Sequence, residues 1–479
     1  MPRVGGGPSA GRRASDPCWE GSVPAVCGSA ADLRRMGRAP APPQAESMTD
    51  TDTVRSERML VRTDRETPSE PKPQRGSAFG RVLGLDLARA LAIFGMFYAH
   101  VGPMQEFRNP VVNTIMQIPH GRSSALFAVL AGLSLVLLAG GRRQLPALER
   151  RQRIVKIVIR AVLLIALGTV LTLWLHTDIV ILAFYGLFFL LALPFVRCGV
   201  KTLAVLSASF AVVGSVVYYW IAMAQPAFVT ALNAHDPITR MGADGFGRLL
   251  FTGLYPALPW LAYIFAGVAI AKLDLSAKWV RVGMASVGAG LALAGYGLSW
   301  VLLKVLFAGG GMGGGFGSSG SSMASSSTGS GSSGMSGSSG TWSDSLSEYD
   351  PWSSDMLQFL LSASPHSGTA FELLGNIGIA MLVIVGSVAL LDRSALARKL
   401  LTPITAAGAM SLTLYVAHLW ALNHVPSNSD GGPVTEALAV WGWFCVVGIG
   451  FAFVWSRWFK RGPLEYAMQW ATSPAKLVR

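Results

Sequence analysis

Between residues 82 and 457 the chain returns ten times to an apolar run long enough to cross a hydrocarbon layer roughly 30 Å thick. The runs are 82–102, 122–141, 154–175, 179–196, 201–223, 249–271, 282–307, 369–391, 401–422 and 435–457. Lipid offers backbone amides no partner, so a chain with this pattern is confined to helices or closed barrels, and runs of this length select helices. Composition agrees. The chain is 51% hydrophobic and only 14% charged, where soluble chains carry about a quarter charged residues. The expected fold class is all-α: a polytopic transmembrane helical bundle of about ten spans.

The charges between the runs orient the bundle. Arg142, Arg143, Arg150, Arg151 and Arg153 lie between the second and third runs. Later alternate loops hold Arg197 and Lys201; Lys272, Lys278 and Arg281; Arg393, Arg398 and Lys399; Lys460 and Arg461 follow the last run. The opposite loops hold only Arg108, Arg122, Arg240 and Arg248. Cationic loops stay in the cytoplasm, so both termini are predicted cytoplasmic. The same bias accounts for the net charge of +13. Nucleic acid is not an expected partner, because no basic stripe interleaved with aromatics is present.

The chain divides along these lines. Residues 1–80, rich in Pro, Gly, Ser and Arg, read as a disordered tail without the apolar core of a signal peptide, and Met48 is a plausible true start. Residues 81–308 hold the first seven runs, and 309–350 form a flexible external loop around the Gly/Ser tract 309–340. That tract superficially matches a nucleotide-binding fingerprint, but no strand precedes it. Residues 351–470 carry the last three runs and 471–479 a short cytoplasmic tail. The four cysteines, Cys18, Cys27, Cys198 and Cys445, form no CxxC pair, and the histidines show no HxxH or HxxxH spacing. Neither a disulfide framework nor a metal site is expected.

Ionisable groups inside the runs are costly and need a reason. The first run reads "LDLARALAIFGMFYAH", Leu85 to His100. Arg89 and His100 fall on one helical face, roughly 16 Å apart along the axis. Asp86, three residues before Arg89, can pair with it. Such a stripe lines a bundle interior or a wet cavity; the alternative is snorkelling of Arg89 to the headgroups, with His100 near the outer interface. "PHGRSSALFAVLAGLS" puts His120, Arg122, Ser123 and Ser124 at the mouth of the second run, where Ser123 either caps the helix or lines a pocket. In "GAMSLTLYVAHLW", Ser411, Tyr415 and His418 share a face suited to hydrogen bonds across the bundle, although Tyr415 can equally belong to an aromatic belt.

These blocks, with "FELLGNIGIAMLV" and "RGPLEYAMQW", resemble the bacterial YeiB-like membrane proteins (domain of unknown function 418), particularly an actinobacterial type. The resemblance runs from Arg81 to Trp470 and implies a multi-pass protein of the bacterial plasma membrane. More distantly, Arg89 and His100, with ten residues between them, resemble the arginine–histidine motif of the transmembrane acyltransferases, which include the heparan-α-glucosaminide N-acetyltransferases and the acyltransferase-3 proteins. The YeiB-like block has Arg-Gly where this chain has Arg89-Ala90, and Asp where His120 stands.

The second resemblance implies transfer of an acyl group from acyl-CoA to a cell-envelope or lipid-linked acceptor, with no tightly bound cofactor. A near-neutral histidine suits deprotonation of the acceptor, which assigns His100 as the catalytic base. An arginine suits the donor's phosphates or carbonyls, which assigns Arg89 to donor binding with Asp86 beside it. His120, Arg122, Ser123, Tyr415 and His418 are further pocket candidates. The alternative is a transporter or permease-like protein whose polar path runs through the first span. Against it stands the absence of paired broken helices or an inverted repeat in the sequence. A non-catalytic scaffold is the third reading.

Overall fold

The computed structural model describes residues 75–103, 109–141, 145–307, 354–425 and 433–478. The tail with Met48, Cys18 and Cys27, and the Gly/Ser tract, lie outside the described residues. Where the chain is described it is helical, with no strand. The elements used below are α1 (Arg75–Val101), α2 (Arg122–Ala139), α3 (Ala147–Leu175), α4 (Leu182–Ala192), α5 (Val200–Ala222), α6 (Ala257–Ala271) and α7 (Lys278–Phe307). They continue with α8 (Ala370–Arg393), α9 (Thr402–Ala409), α10 (Ser411–Leu422), α11 (Val434–Trp455) and α12 (Pro463–Ala471).

Every apolar run read from the sequence contains helix, but the helices are not equal. Among the described residues six are long and apolar enough to cross a membrane: Val111–Ala139, α3, α5, α7, α8 and α11. The first of these joins a short helix, Pro110–Gln117, to α2 through a tight turn at Gly121. Leu182–Arg197 and α6 are shorter apolar helices. The run 401–422, expected as one helix, is two: α9 and α10 meet at an angle of 82°. Met410, between them, leaves helical geometry at φ −110° and ψ 32°. The physical reason for the bend lies outside the run, in Glu465 of α12. Its carboxylate accepts from the amides of Leu412 and Thr413 at 2.7 and 3.2 Å and from the Thr413 hydroxyl at 2.5 Å. Those amides would otherwise be the orphan donors of a new helix start.

The outer helices turn apolar side chains away from the protein. Val282, Val287, Leu293, Val301 and Val305 of α7 are exposed, as are Trp443, Val446, Val447 and Val454 of α11. Surfaces of this kind, on helices of spanning length, belong in lipid. The molecule is a multi-pass membrane protein.

Inside, α6 is apolar all round and nearly all of it, Ala257 to Ile270, is buried. It packs against α2 with backbones in contact: a Cβ on Gly267 would strike the Val129 carbonyl, and one on Gly132 the Ile264 carbonyl. Small residues at a helix crossing allow this approach. α1 packs against α2, α8, α9, α10 and α11. A Cβ on Gly408 would meet the Asp86 carbonyl, so α9 lies directly on the charged turn of α1. Cys198 and Cys445 are unpaired and pack at the edge of the core.

Candidate functional site

Asp86 and Arg89 form the ion pair expected from their spacing, with Arg89 Nη1 donating to Asp86 Oδ1 at 2.5 Å. Arg89 Nη2 donates to Ser134 Oγ of α2 at 2.9 Å, and the Ser134 hydroxyl in turn donates to the Leu130 carbonyl at 2.7 Å. The guanidinium is therefore fixed from two helices rather than stretched toward headgroups. It lines a partly open cavity of about 580 Å³, open solvent included, with Ser134, Arg160, Ser411 and Tyr415 among its walls.

Three turns along α1, His100 lines a second and smaller cavity of about 310 Å³. Ser123 and Ser124 at the start of α2, Tyr255, His366 and Tyr415 complete its polar lining. His100 is held by His418 of α10: Nδ1 and Nε2 are 3.1 Å apart, and the rings stack at 7°. His418 is buried, wedged between Phe97 and Tyr415.

Tyr415 touches both cavities. It is fully buried, and its hydroxyl accepts from the Ile181 amide at 3.0 Å and donates to the Ile179 carbonyl at 3.3 Å. Those bonds tie α10 to the segment leading into α4. An aromatic-belt residue would face the bilayer surface, and Tyr415 does not. It forms part of the partition between the Arg89 cavity and the His100 cavity.

The remaining sequence candidates divide. Ser123 does not cap its helix. Gly121 holds the cap position at φ 70° without a side-chain bond, so Ser123 falls in the first turn, where its hydroxyl donates back to the Pro119 carbonyl at 2.8 Å. It lines the His100 cavity instead. Arg122 donates to the Gln117 carbonyl at 3.1 Å and lies over the Tyr296 ring, 4.6 Å from its centre. Its cation holds the turn and faces neither cavity. His120 packs edge-on against Tyr98, with ring centres 5.7 Å apart.

Sequence reasoning passed over His366, Glu372 and Arg160. His366 stands on the loop before α8 with φ 61°, and it stacks on Trp260. Burial, and secondarily the charge of His120, hold its pKa down to about 4. The loop is built on Glu372, whose carboxylate accepts from the His366 amide at 2.8 Å, the Gly368 amide at 2.7 Å and the Ser367 hydroxyl at 3.2 Å. Asn376 donates to Glu372 at 3.2 Å and to Tyr263 at 3.0 Å, extending the network into α6. A Thr-x-x-Glu capping signal, Thr369 to Glu372, stood in the sequence and marks this corner. Arg160, alone in the apolar run of α3, carried the same signal as Arg89. Among the described residues no group of three or more His, Cys, Asp or Glu side chains is arranged to hold a metal ion.

The class these features define is a polytopic helical membrane protein with paired polar cavities inside the bundle. Residues 81–297 match the family described as heparan-alpha-glucosaminide N-acetyltransferase, catalytic, and residues 352–475 match the family described as protein of unknown function DUF418. Neither a curated protein nor a solved structure matches the chain. The two matches bear out both resemblances and divide them. The part carrying Arg89, His100 and Ser123 goes with a membrane acyltransferase-type family, while Tyr415 and His418 stand in the DUF418 part.

Proposed function

We propose that the protein moves an acyl group from acyl-CoA to a hydroxyl or amine of a cell-envelope or lipid-linked acceptor. The observation that carries this reading is the pair of cavities meeting at Tyr415, one lined by Arg89 and the other by His100. A donor entering at Arg89 brings its thioester to the partition, and the acceptor meets it from the His100 side. With both termini in the cytoplasm of a bacterium, the Arg89 cavity faces the cytosolic acyl-CoA.

The chemistry asks for one base. The acceptor oxygen or nitrogen attacks the thioester carbonyl and gives its proton to His100 as the new acyl bond forms. The carbon–sulfur bond then breaks, and the proton passes to the departing thiolate. His418 sets the tautomer this requires. The transfer requires His418 to be the acceptor across the 3.1 Å contact. Its Nε2 then accepts, His100 Nδ1 donates, and the lone pair of His100 Nε2 is left for the acceptor. Ser123 and Ser124 line the same cavity and suit the acceptor's polar groups.

The bent pair α9–α10 favours one other reading, a transporter, since broken helices in transporters aim their amino ends at anionic cargo. Here Glu465 already occupies that helix start. Purified protein in nanodiscs, supplied with acetyl-CoA labelled in the acetyl group, tests the proposal. Release of free CoA with label transferred to an acceptor or to water is expected. Uptake of label into proteoliposomes with the thioester intact would instead favour transport.

A further inference from the structure

One charge in the larger cavity has no task in the transfer just described. Arg160 lines that cavity beside Arg89, and the two charges are near enough to act on each other. Arg89 is neutralised by Asp86 and bonded to Ser134. Arg160 is not provided for in this way: its Nε is buried with no hydrogen-bond partner among the described residues. The carboxylate whose charge reaches it, Glu465, is spent on the start of α10 and on Thr413. No Asp or Glu lines the cavity. A guanidinium with a buried N–H left unbonded has lost hydration without a replacement, and ionisable side chains inside a bundle mark a ligand path.

We propose that Arg160 and Arg89 together bind a phosphate group, and that the ligand's arm runs from it along the apolar wall toward Tyr415. A guanidinium fork matches phosphate oxygens two at a time. Two guanidiniums side by side, one of them with an N–H still unbonded, suit an anionic group with several acceptor oxygens. The space is too large for a simple ion, and the walls beyond the arginines are apolar (Phe127, Leu164, Leu182, Phe189), which selects an amphipathic ligand. Two sources supply that chemistry: the nucleotide end of acyl-CoA and the headgroup of a phospholipid. The inference deepens the donor reading of this cavity and names the residue that reading leaves out.

The experiment titrates coenzyme A, and pantetheine as its phosphate-free counterpart, into wild type and Arg160→Gln in detergent, with native mass spectrometry of co-purified lipid on both. Weakening of coenzyme A binding by about tenfold or more in Arg160→Gln, with pantetheine unaffected, is expected. Arg160→Lys should fall between, because charge is kept and the fork is lost. If wild type ignores coenzyme A but retains a phospholipid that Arg160→Gln loses, the phosphate site stands with a lipid source and the donor reading fails. Should Arg160→Gln not fold, the thermal shift of wild type decides: coenzyme A must stabilise it more than pantetheine, or a phospholipid must be bound. Equal coenzyme A affinity and equal lipid content in wild type and variant would overturn the phosphate site while leaving acyl transfer intact.

Discussion

His100 and His418 stand ring against ring, Nδ1 to Nε2 at 3.1 Å, although 318 positions separate them in the chain. One ring belongs to the segment that matches the acyltransferase family and the other to the DUF418 segment. The contact joins the two halves of the site.

His418 therefore acts through His100 and is a positioning residue. His418→Ala should lower turnover of acetyl-CoA by about 10²-fold or more, within the usual contribution of an oriented base. The KM for the donor should stay near wild type, since the donor cavity lies on the other side of Tyr415. His418→Gln, which can still accept from His100 Nδ1, should recover part of the rate. A purely structural role would lower folded yield and leave the rate per folded molecule alone.

Glu372 is the cornerstone of the loop that carries His366. Glu372→Gln keeps its size but replaces half of a multiple acceptor with a donor facing amides. Hydrogen bonds to charged groups contribute about 1.5–3 kcal/mol each, and one or two would be lost. A fall in thermal stability measured in detergent is expected, with the loop from Ser362 to Thr369 losing protection in hydrogen exchange before the rest.

Acidification should act through His366. Its folded pKa, held down to about 4, lies below its ordinary value of 6.5. The folded protein then refuses a proton the unfolded chain accepts, so this stability is full above pH 6.5 and is lost as pH falls toward 4. Asp244 acts in the opposite sense. Burial pushes its pKa up to about 6, so its contribution is present at low pH and fades as pH rises through 6. The readout is the difference in melting temperature between wild type and His366→Gln, which should narrow steadily from pH 7 to pH 4.

Orientation can be read without activity. A cysteine placed at Ser330, in the Gly/Ser tract, should react with an impermeant thiol reagent from outside intact cells. Reaction only after lysis would invert the bundle and put the Arg89 cavity on the outer side.

The helical class and the charged stripe of α1 were legible because lipid leaves few solutions: apolar length fixes helices, and a costly charge advertises itself. Asp86 and Arg89 pair as their spacing required. Arg160 carried an equal signal and was overlooked because no motif drew attention to it. The bend at Met410 was not legible. No charge or proline stands at the bend itself, and the carboxylate that starts the new helix stands more than fifty residues later, at Glu465. His366 was hidden for a similar reason. A histidine on a loop carries no period, and only the folding of Glu372 beneath it brings it to the cavity of His100.

The central claim is that His100 is the base of an acyl transfer whose donor sits at Arg89. The direct measurement is binding and single-turnover transfer from acetyl-CoA, compared in wild type and His100→Ala at saturating donor. The account predicts that the variant inserts, folds and binds acetyl-CoA with wild-type affinity, while transfer falls by about 10²–10⁴-fold. Transfer at the wild-type rate by His100→Ala would contradict it.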